Sequence, residues 1–249
     1  MNRKSAPAGG IGRITLLVTL ACVVAAAAIV GAAYVVVHHS RQSASAQTSR
    51  VSGIPATVST SLSNLMSLSP LPSLKAPAFT LTDQTGRTLS LSDLRGKVVV
   101  LEFMDPHCTD ICPIVSQEFV QAYHNLGSLA DRVVFAAVNV NAYHHRVADV
   151  AKFSREQQLT SIPSWHFFTA APKRLAPVWR AYNIQVQAPN PNADIVHTSA
   201  VYVIDQQGRE RYVASPQADH TKSGSAYLPA GQITSWGRGL ALLAAHLAA

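Results

Sequence analysis

Two runs of consecutive apolar, largely β-branched residues set the tightest limit on how this chain folds: Val98, Val99, Val100 and Leu101, and then residues 133–138. Such runs, with no polar alternation, fit strands covered on both faces, as at the centre of an α/β sheet. Each is followed by a stretch of helical character, 114–129 and 147–158. The pattern continues with a strand at 165–169, a short helix at 175–182, a strand at 199–204, a turn from Asp205 to Gly208 and a strand at 209–213. Ile233, Trp236, Leu240, Leu243 and Leu247 repeat at helical spacing and predict a closing helix. Ahead of all this, Phe79, Leu81, Leu89 and Leu91 alternate with polar residues around Asp83–Gly86, which predicts a lead-in β-hairpin. Strands alternating with helices define an α/β fold: a central mixed sheet flanked by helices, partly parallel, with antiparallel pairing across the final hairpin.

A second feature divides the chain. No charged residue occurs from 14 to 37, and an apolar run longer than ~18 residues is enough to cross a bilayer. Arg3, Lys4 and Arg13 precede it and only Arg41 follows closely, so the positive-inside rule leaves residues 1–13 in the cytoplasm and sends the rest across. The expectation is a single-pass protein of the cell membrane with an extracytoplasmic, periplasmic-side domain. A cleaved signal peptide has a shorter apolar stretch of ~7 to 15 residues. A lipoprotein signal ending at Cys22 fits less well, because the apolar run continues past that cysteine, which then reads as a membrane-helix filler. Residues 38–75 are serine-rich, charge-poor and without sustained periodicity, and read as a tether spanning about 35 Å as a flexible coil; a turn or two of helix over 62–68 is the exception weighed. The folded domain is then expected over 76–249. The net charge of +7 reflects 20 Lys and Arg against 13 Asp and Glu, and the four basic residues flanking the apolar run supply much of the excess. No basic run interleaved with aromatics remains to hold nucleic acid.

The chemistry falls at the end of the first central strand, in Asp105, Pro106, His107, Cys108, Thr109, Asp110, Ile111, Cys112 and Pro113. A cysteine at a helix start feels the positive end of the peptide dipoles, which favours its thiolate, the form that binds metals and attacks disulfides. If the segment is helical, a spacing of four puts both sulfurs on one face, close enough to share an ion or to form a disulfide. Two thiolates make a linear site, and His197 is the candidate third ligand. It precedes Thr198 and a strand, where thioredoxin-like folds bring the chain against the cysteine loop and oxidoreductases of that fold carry a cis proline. An S₂N set suits copper, as Cu(I) or Cu(II); zinc would ask for a fourth ligand.

The string 107–113 resembles the H-C-P-D-x-C-P signature of the Sco/SenC copper chaperones, and Asp194, Ile195, Val196, His197 and Thr198 resemble that family's histidine segment. The resemblance runs from about Pro77 to Leu247 and includes a single N-terminal anchor. It implies a thioredoxin-like fold binding one copper through Cys108, Cys112 and His197. It also implies partners: cytochrome c oxidase subunit II, whose Cu-A centre would receive the copper or whose cysteines would be reduced, and other copper or thiol-redox proteins. Where the family commonly has an acidic stretch, this chain has Asn139, Val140, Asn141, Ala142, Tyr143, His144 and His145.

Three other functions compete. A thiol-disulfide oxidoreductase would use Cys108 as nucleophile and Cys112 as resolving thiol. A peroxiredoxin-like peroxidase would use Thr109, Cys112 and Pro113 as T-x-x-C-P, leaving Cys108 and His197 without a role. A tethered binding module would hold the two cysteines as a structural disulfide. Beside these, His38 with His39 and His144 with His145 read as exposed pairs, His107 as turned away from the site, and His166 as a strand residue. Asp110 reads as a helix cap, and Glu102 as either buried or outward-facing. No P-loop, H-E-x-x-H or nucleophile elbow occurs.

Overall fold

A computed structural model describes residues 51–191 and 195–249. The apolar run 14–37 expected to span the membrane, with Cys22, His38, His39 and the first part of the tether, lies outside the described residues, as does Asp194. Among the described residues no helix is long and apolar enough to cross a membrane.

The centre is a six-stranded mixed sheet. Its strands are β1 (Ser69–Pro70), β4 (Val98–Met104), β5 (Val133–Asn139), β6 (Trp165–Phe168), β9 (Val201–Ile204) and β10 (Glu210–Ala214), in the order β1-β10-β9-β4-β5-β6. β4, β5 and β6 run parallel, while β9 lies antiparallel to β4 and forms the final hairpin with β10. Every residue of β4 and β5 is buried, as the unbroken apolar runs require. The lead-in hairpin forms from β2 (Thr80–Thr82) and β3 (Thr88–Ser90), in register Leu81 to Leu89.

Alternate residues of β4 divide the core between the two faces. Val98, Val100 and Met104 pack with Val115, Phe119 and Leu126 of α2 (Ile111–Leu126) and with Trp236, Leu240 and Leu243 of α5 (Ala230–Ala248). Val150 and Phe153 of α3 (Val147–Glu156) join that cluster. Val99, Leu101 and Phe103 face Leu175, Val178 and Trp179 of α4 (Pro172–Ala181), together with Phe79 and Leu81 of the lead-in segment. α2 and α5 touch closely because Gly237 has no side chain: a Cβ there would lie 2.9 Å from the Glu118 carbonyl oxygen.

The expected tether over 38–75 is corrected in its second half, and with it the expected domain start at 76. Residues 51–75 belong to the fold. They form α1 (Thr60–Leu65), capped by the Ser59 hydroxyl accepting from the Leu62 amide, and then β1 at the sheet edge. Ile54, Val58, Met66 and Leu68 enter the core on the α5 side, and a Cβ at Gly239 would collide with the Met66 sulfur. Apolar residues spaced irregularly among serines carry no period, so burial decides here and local propensity does not. The helix expected over 114–129 starts earlier, at Ile111, because Pro113 sits in its first turn, where a missing N–H costs nothing.

Candidate metal centre

β4 ends at Met104 and the chain turns through Asp105–Asp110 before α2 opens. Cys108 therefore lies in the turn, whereas Cys112 occupies the first turn of the helix; the two do not share a helix face. The turn brings them together all the same. The Cys108 sulfur accepts from the backbone N–H of Asp110, at 3.4 Å, and of Cys112, at 3.5 Å. The sulfur thus caps the start of α2, using amides that a helix leaves unpaired. Both cysteines are free thiols, Cys108 half-buried and Cys112 buried.

Their acidities diverge. The Cys112 S–H donates to the Cys108 sulfur, and with the two amide N–H groups this outweighs burial and lowers the Cys108 pKa from 9.0 to about 7. The same bond and burial push the Cys112 thiol well above its ordinary value. Near neutral pH the pair holds a thiolate and a thiol that share one proton.

His197 is carried on a small ribbon outside the main sheet, formed by β7 (Val186–Gln187) and β8 (Val196–His197). The ribbon is closed by Thr198 N–H donating to the Gln185 carbonyl and Gln185 N–H donating to the Thr198 hydroxyl. The segment that follows is fixed to β4 by Glu102, whose Oε1 accepts from the Ser199 hydroxyl at 3.2 Å and the Ala200 amide at 3.3 Å. Glu102 is the buried alternative of the two weighed. Burial raises its pKa to about 8, so the clamp is a neutral acid. The His197 ring lies 3.0 Å through Nδ1 from the Thr198 carbonyl, which can only accept, so Nδ1 carries the proton and Nε2 keeps its lone pair. Burial lowers the His197 pKa and favours that neutral form. No proline precedes Thr198 in this segment, which reads Ile195, Val196, His197, and among the described residues no peptide bond is cis.

Cys108 and His197 line one cleft of about 870 Å³, with Asp105, His107, Asp110 and Asn141 on its walls. On one side stands a hairpin of β11 (Asp219–His220) and β12 (Ala226–Tyr227). Asp110, expected as a helix cap, makes no capping bond; its carboxylate meets His220 at 3.1 Å and ties that hairpin to the cysteine turn. His166 is the strand residue expected, its ring 3.0 Å from the Asp83 carboxylate. His107 is not an isolated ring turned away but stacks on His144, centroids 3.6 Å apart.

Sequence reasoning passed over the polar framework beneath the cleft. Asp105 Oδ1 accepts from the His107 amide and from Asn141 Nδ2, joining the cysteine turn to the loop after β5. Asn139 and Asn141 then hold that loop through its own backbone. Two asparagines, Asn139 at the end of a buried strand and Asn141 just past it, were the available signal, since a buried amide must find partners. Glu118 was also missed. It sits on the apolar face of α2 without a hydrogen-bond partner among the described residues, and burial raises its pKa to about 9.

A strand-turn-helix dithiol on a mixed sheet with helices on both faces defines a thioredoxin-like protein. Within that class, the SCO1/SenC family model matches residues 69–225, and the chain belongs to this family. It is 23% identical over 133 residues to the SCO1 protein homolog of Bacillus subtilis, covering 53% of this chain and 68% of the relative. It is 28% identical over 138 residues to the mitochondrial SCO2 homolog of Bos taurus, where the match covers 52% of this chain and half of the relative. Among solved structures, copper-bound ScoI of Bradyrhizobium japonicum aligns with TM-score 0.54 at 21% identity, over 70% of this chain and 99% of that one. Apo Sco1 of Thermus thermophilus aligns with TM-score 0.54 at 23% identity, over 72% and 95%.

Proposed function

We propose that this chain is a membrane-anchored copper-handling protein in which Cys108, Cys112 and His197 hold one copper ion as cargo. The observation that carries the reading is that Cys108 and His197, far apart in sequence, line one cleft, each in the form a ligand needs: a thiol acidified to about 7 and an imidazole with Nε2 free. Cys112 completes an S₂N set, whose softness suits Cu(I) and still admits Cu(II) with an added donor. Relatives support copper: the ScoI structures of Bradyrhizobium japonicum and Arabidopsis thaliana are described as copper-bound. The acceptor proposed is the Cu-A centre of cytochrome c oxidase subunit II; BsSco, whose structure is similar, is described as having a disulfide switch and as a member of the Sco family of cytochrome c oxidase assembly proteins. The anchor is the apolar run 14–37, with the domain on the outer face of the membrane.

A thiol reductase reading has its own support in the split acidities of the two cysteines. Cys108 thiolate would attack a partner's disulfide, releasing one partner thiol and forming a mixed disulfide. Cys112 would then displace the second thiol, leaving the partner reduced and this chain oxidised. The peroxidase reading needs Cys112 as the attacking thiolate, and a buried thiol with a raised pKa is the wrong form.

The test is an anaerobic Cu(I) titration of the reduced full-length chain. One copper per chain is expected, lost in Cys108→Ser and weakened in His197→Ala. A chain that stays metal-free but reduces disulfides would overturn copper handling in favour of the reductase.

A further inference from the structure

His107, His144 and Asp149 offer ligand atoms that all lie within 4.8 Å of one another. None of them belongs to the sulfur-containing set. We infer that they form a second metal site, at the lip of the same cleft, for a divalent late transition ion, Cu(II) foremost.

Three observations carry this. The backbones bearing the two imidazoles are fixed in advance. The His107 amide donates to Asp105 Oδ1, which also accepts from Asn141 Nδ2; Asn141 Oδ1 accepts from the His144 amide, and Asn139 Nδ2 donates to the His144 carbonyl. A buried polar network of that kind positions one loop against another at a defined spacing. The rings themselves are uncommitted. His145, His166, His197 and His220 each place a ring nitrogen on a protein oxygen, whereas neither the His107 nor the His144 ring makes a hydrogen bond among the described residues. Both rings face the cleft, where an ion can reach them. The third donor is oriented as well: Asp149, in the first turn of α3, is held through Arg146, whose Nη2 donates to Oδ1 at 3.0 Å and whose backbone N–H donates to Oδ2 at 3.0 Å.

Two imidazoles and a carboxylate make a borderline set that prefers Cu(II) over the other divalent first-row ions. It differs from the soft site of Cys108, Cys112 and His197, and the inference does not rest on that reading. Metal–nitrogen bonds of ~2.0 to 2.1 Å bring two ligand atoms on one ion to within ~4.2 Å. The stacked rings, inclined at 21°, therefore open by rotation of the exposed His107 side chain when the ion enters. Arg146, largely exposed, competes for Asp149, so the histidines provide the main grip.

The test uses the full-length chain carrying Cys22→Ser, Cys108→Ser, Cys112→Ser and His197→Ala, titrated with Cu(II) sulfate and followed by electron paramagnetic resonance. One bound Cu(II) with hyperfine coupling from two imidazole nitrogens is expected. His144→Ala or His107→Ala should weaken it by about tenfold or more, and Asp149→Asn by less. Because His107 is exposed and His144 half-exposed, both variants should retain the circular dichroism of the parent. His144→Gln, keeping the volume, should behave as His144→Ala. The inference is overturned if no Cu(II) binds, or if the spectrum and affinity are unchanged in the His107→Ala, His144→Ala double variant. Failure here leaves the Cu(I) titration of the unmodified chain untouched.

Discussion

Replacing Cys112 by alanine removes the strongest single donor to the Cys108 sulfur while leaving the amides of residues 110 and 112 in place. The Cys108 pKa is lowered from 9.0 to about 7, which corresponds to about 3 kcal/mol in favour of the thiolate. Three donors supply that net gain against burial, and the Cys112 S–H is the largest of them. Its loss takes at least a third of that gain, on the order of 1 kcal/mol, and raises the Cys108 midpoint by a sizeable part of a pH unit. Below the midpoint the thiolate population then drops severalfold. Cys112→Ser restores an O–H donor and should hold the midpoint near that of the parent. His197→Ala should leave it in place, because His197 is not among the groups that set it. The assay is the rate of iodoacetamide alkylation at Cys108, read by peptide mass spectrometry on the reduced chain from pH 5 to pH 9. An alanine variant with an unchanged or lower midpoint would refute the assignment of Cys112 as proton donor to its neighbour.

Glu118 has no hydrogen-bond partner among the described residues, and its pKa is raised from 4.5 to about 9 by burial and then by Glu102. A carboxyl whose folded pKa lies above the unfolded one contributes fully below the unfolded value, and stability falls by up to ~1.4 kcal/mol per pH unit as pH rises toward the folded value. Urea unfolding should show the parent less stable at pH 8 than at pH 5, and Glu118→Gln should flatten that difference; an unchanged slope would contradict a buried neutral Glu118. Gly237→Ala forces a Cβ against the Glu118 carbonyl on α2 and should cost about 1–3 kcal/mol in the same assay. Met66→Ala removes a fully buried side chain from the segment once expected to be a tether and should cost about 2–5 kcal/mol; no loss of stability would return residues 51–75 to linker status.

The parts of the fold legible in the sequence are those where one chemical pattern admits one environment. Four consecutive apolar residues from Val98 have no polar side to show water, so a doubly covered strand followed. The cysteine turn was legible because the strand, the spacing of Cys108 and Cys112 and Pro113 all mark the same boundary. His197 could be placed in the cleft only by analogy with the fold, since nothing local links it to residue 108. Residues 51–75 were unreadable for the opposite reason: Ile54, Val58, Met66 and Leu68 gain their burial from α5, nearly two hundred residues later, where Gly239 leaves room for the Met66 side chain. The stack of His107 on His144 depends on Asn139, Asn141 and Asp105 meeting across two loops, a tertiary event that leaves no periodicity. Glu118 did leave a trace. It falls three residues after Val115 and four before Ala122, on the apolar face of its helix.

X-ray absorption at the copper edge, on the full-length chain loaded anaerobically with one equivalent of Cu(I), tests the central claim most directly. Two sulfur donors and one imidazole nitrogen are expected, with the nitrogen lost in His197→Ala and sulfur lost in Cys108→Ser. A spectrum with nitrogen and oxygen donors alone, or one indifferent to both substitutions, would contradict it.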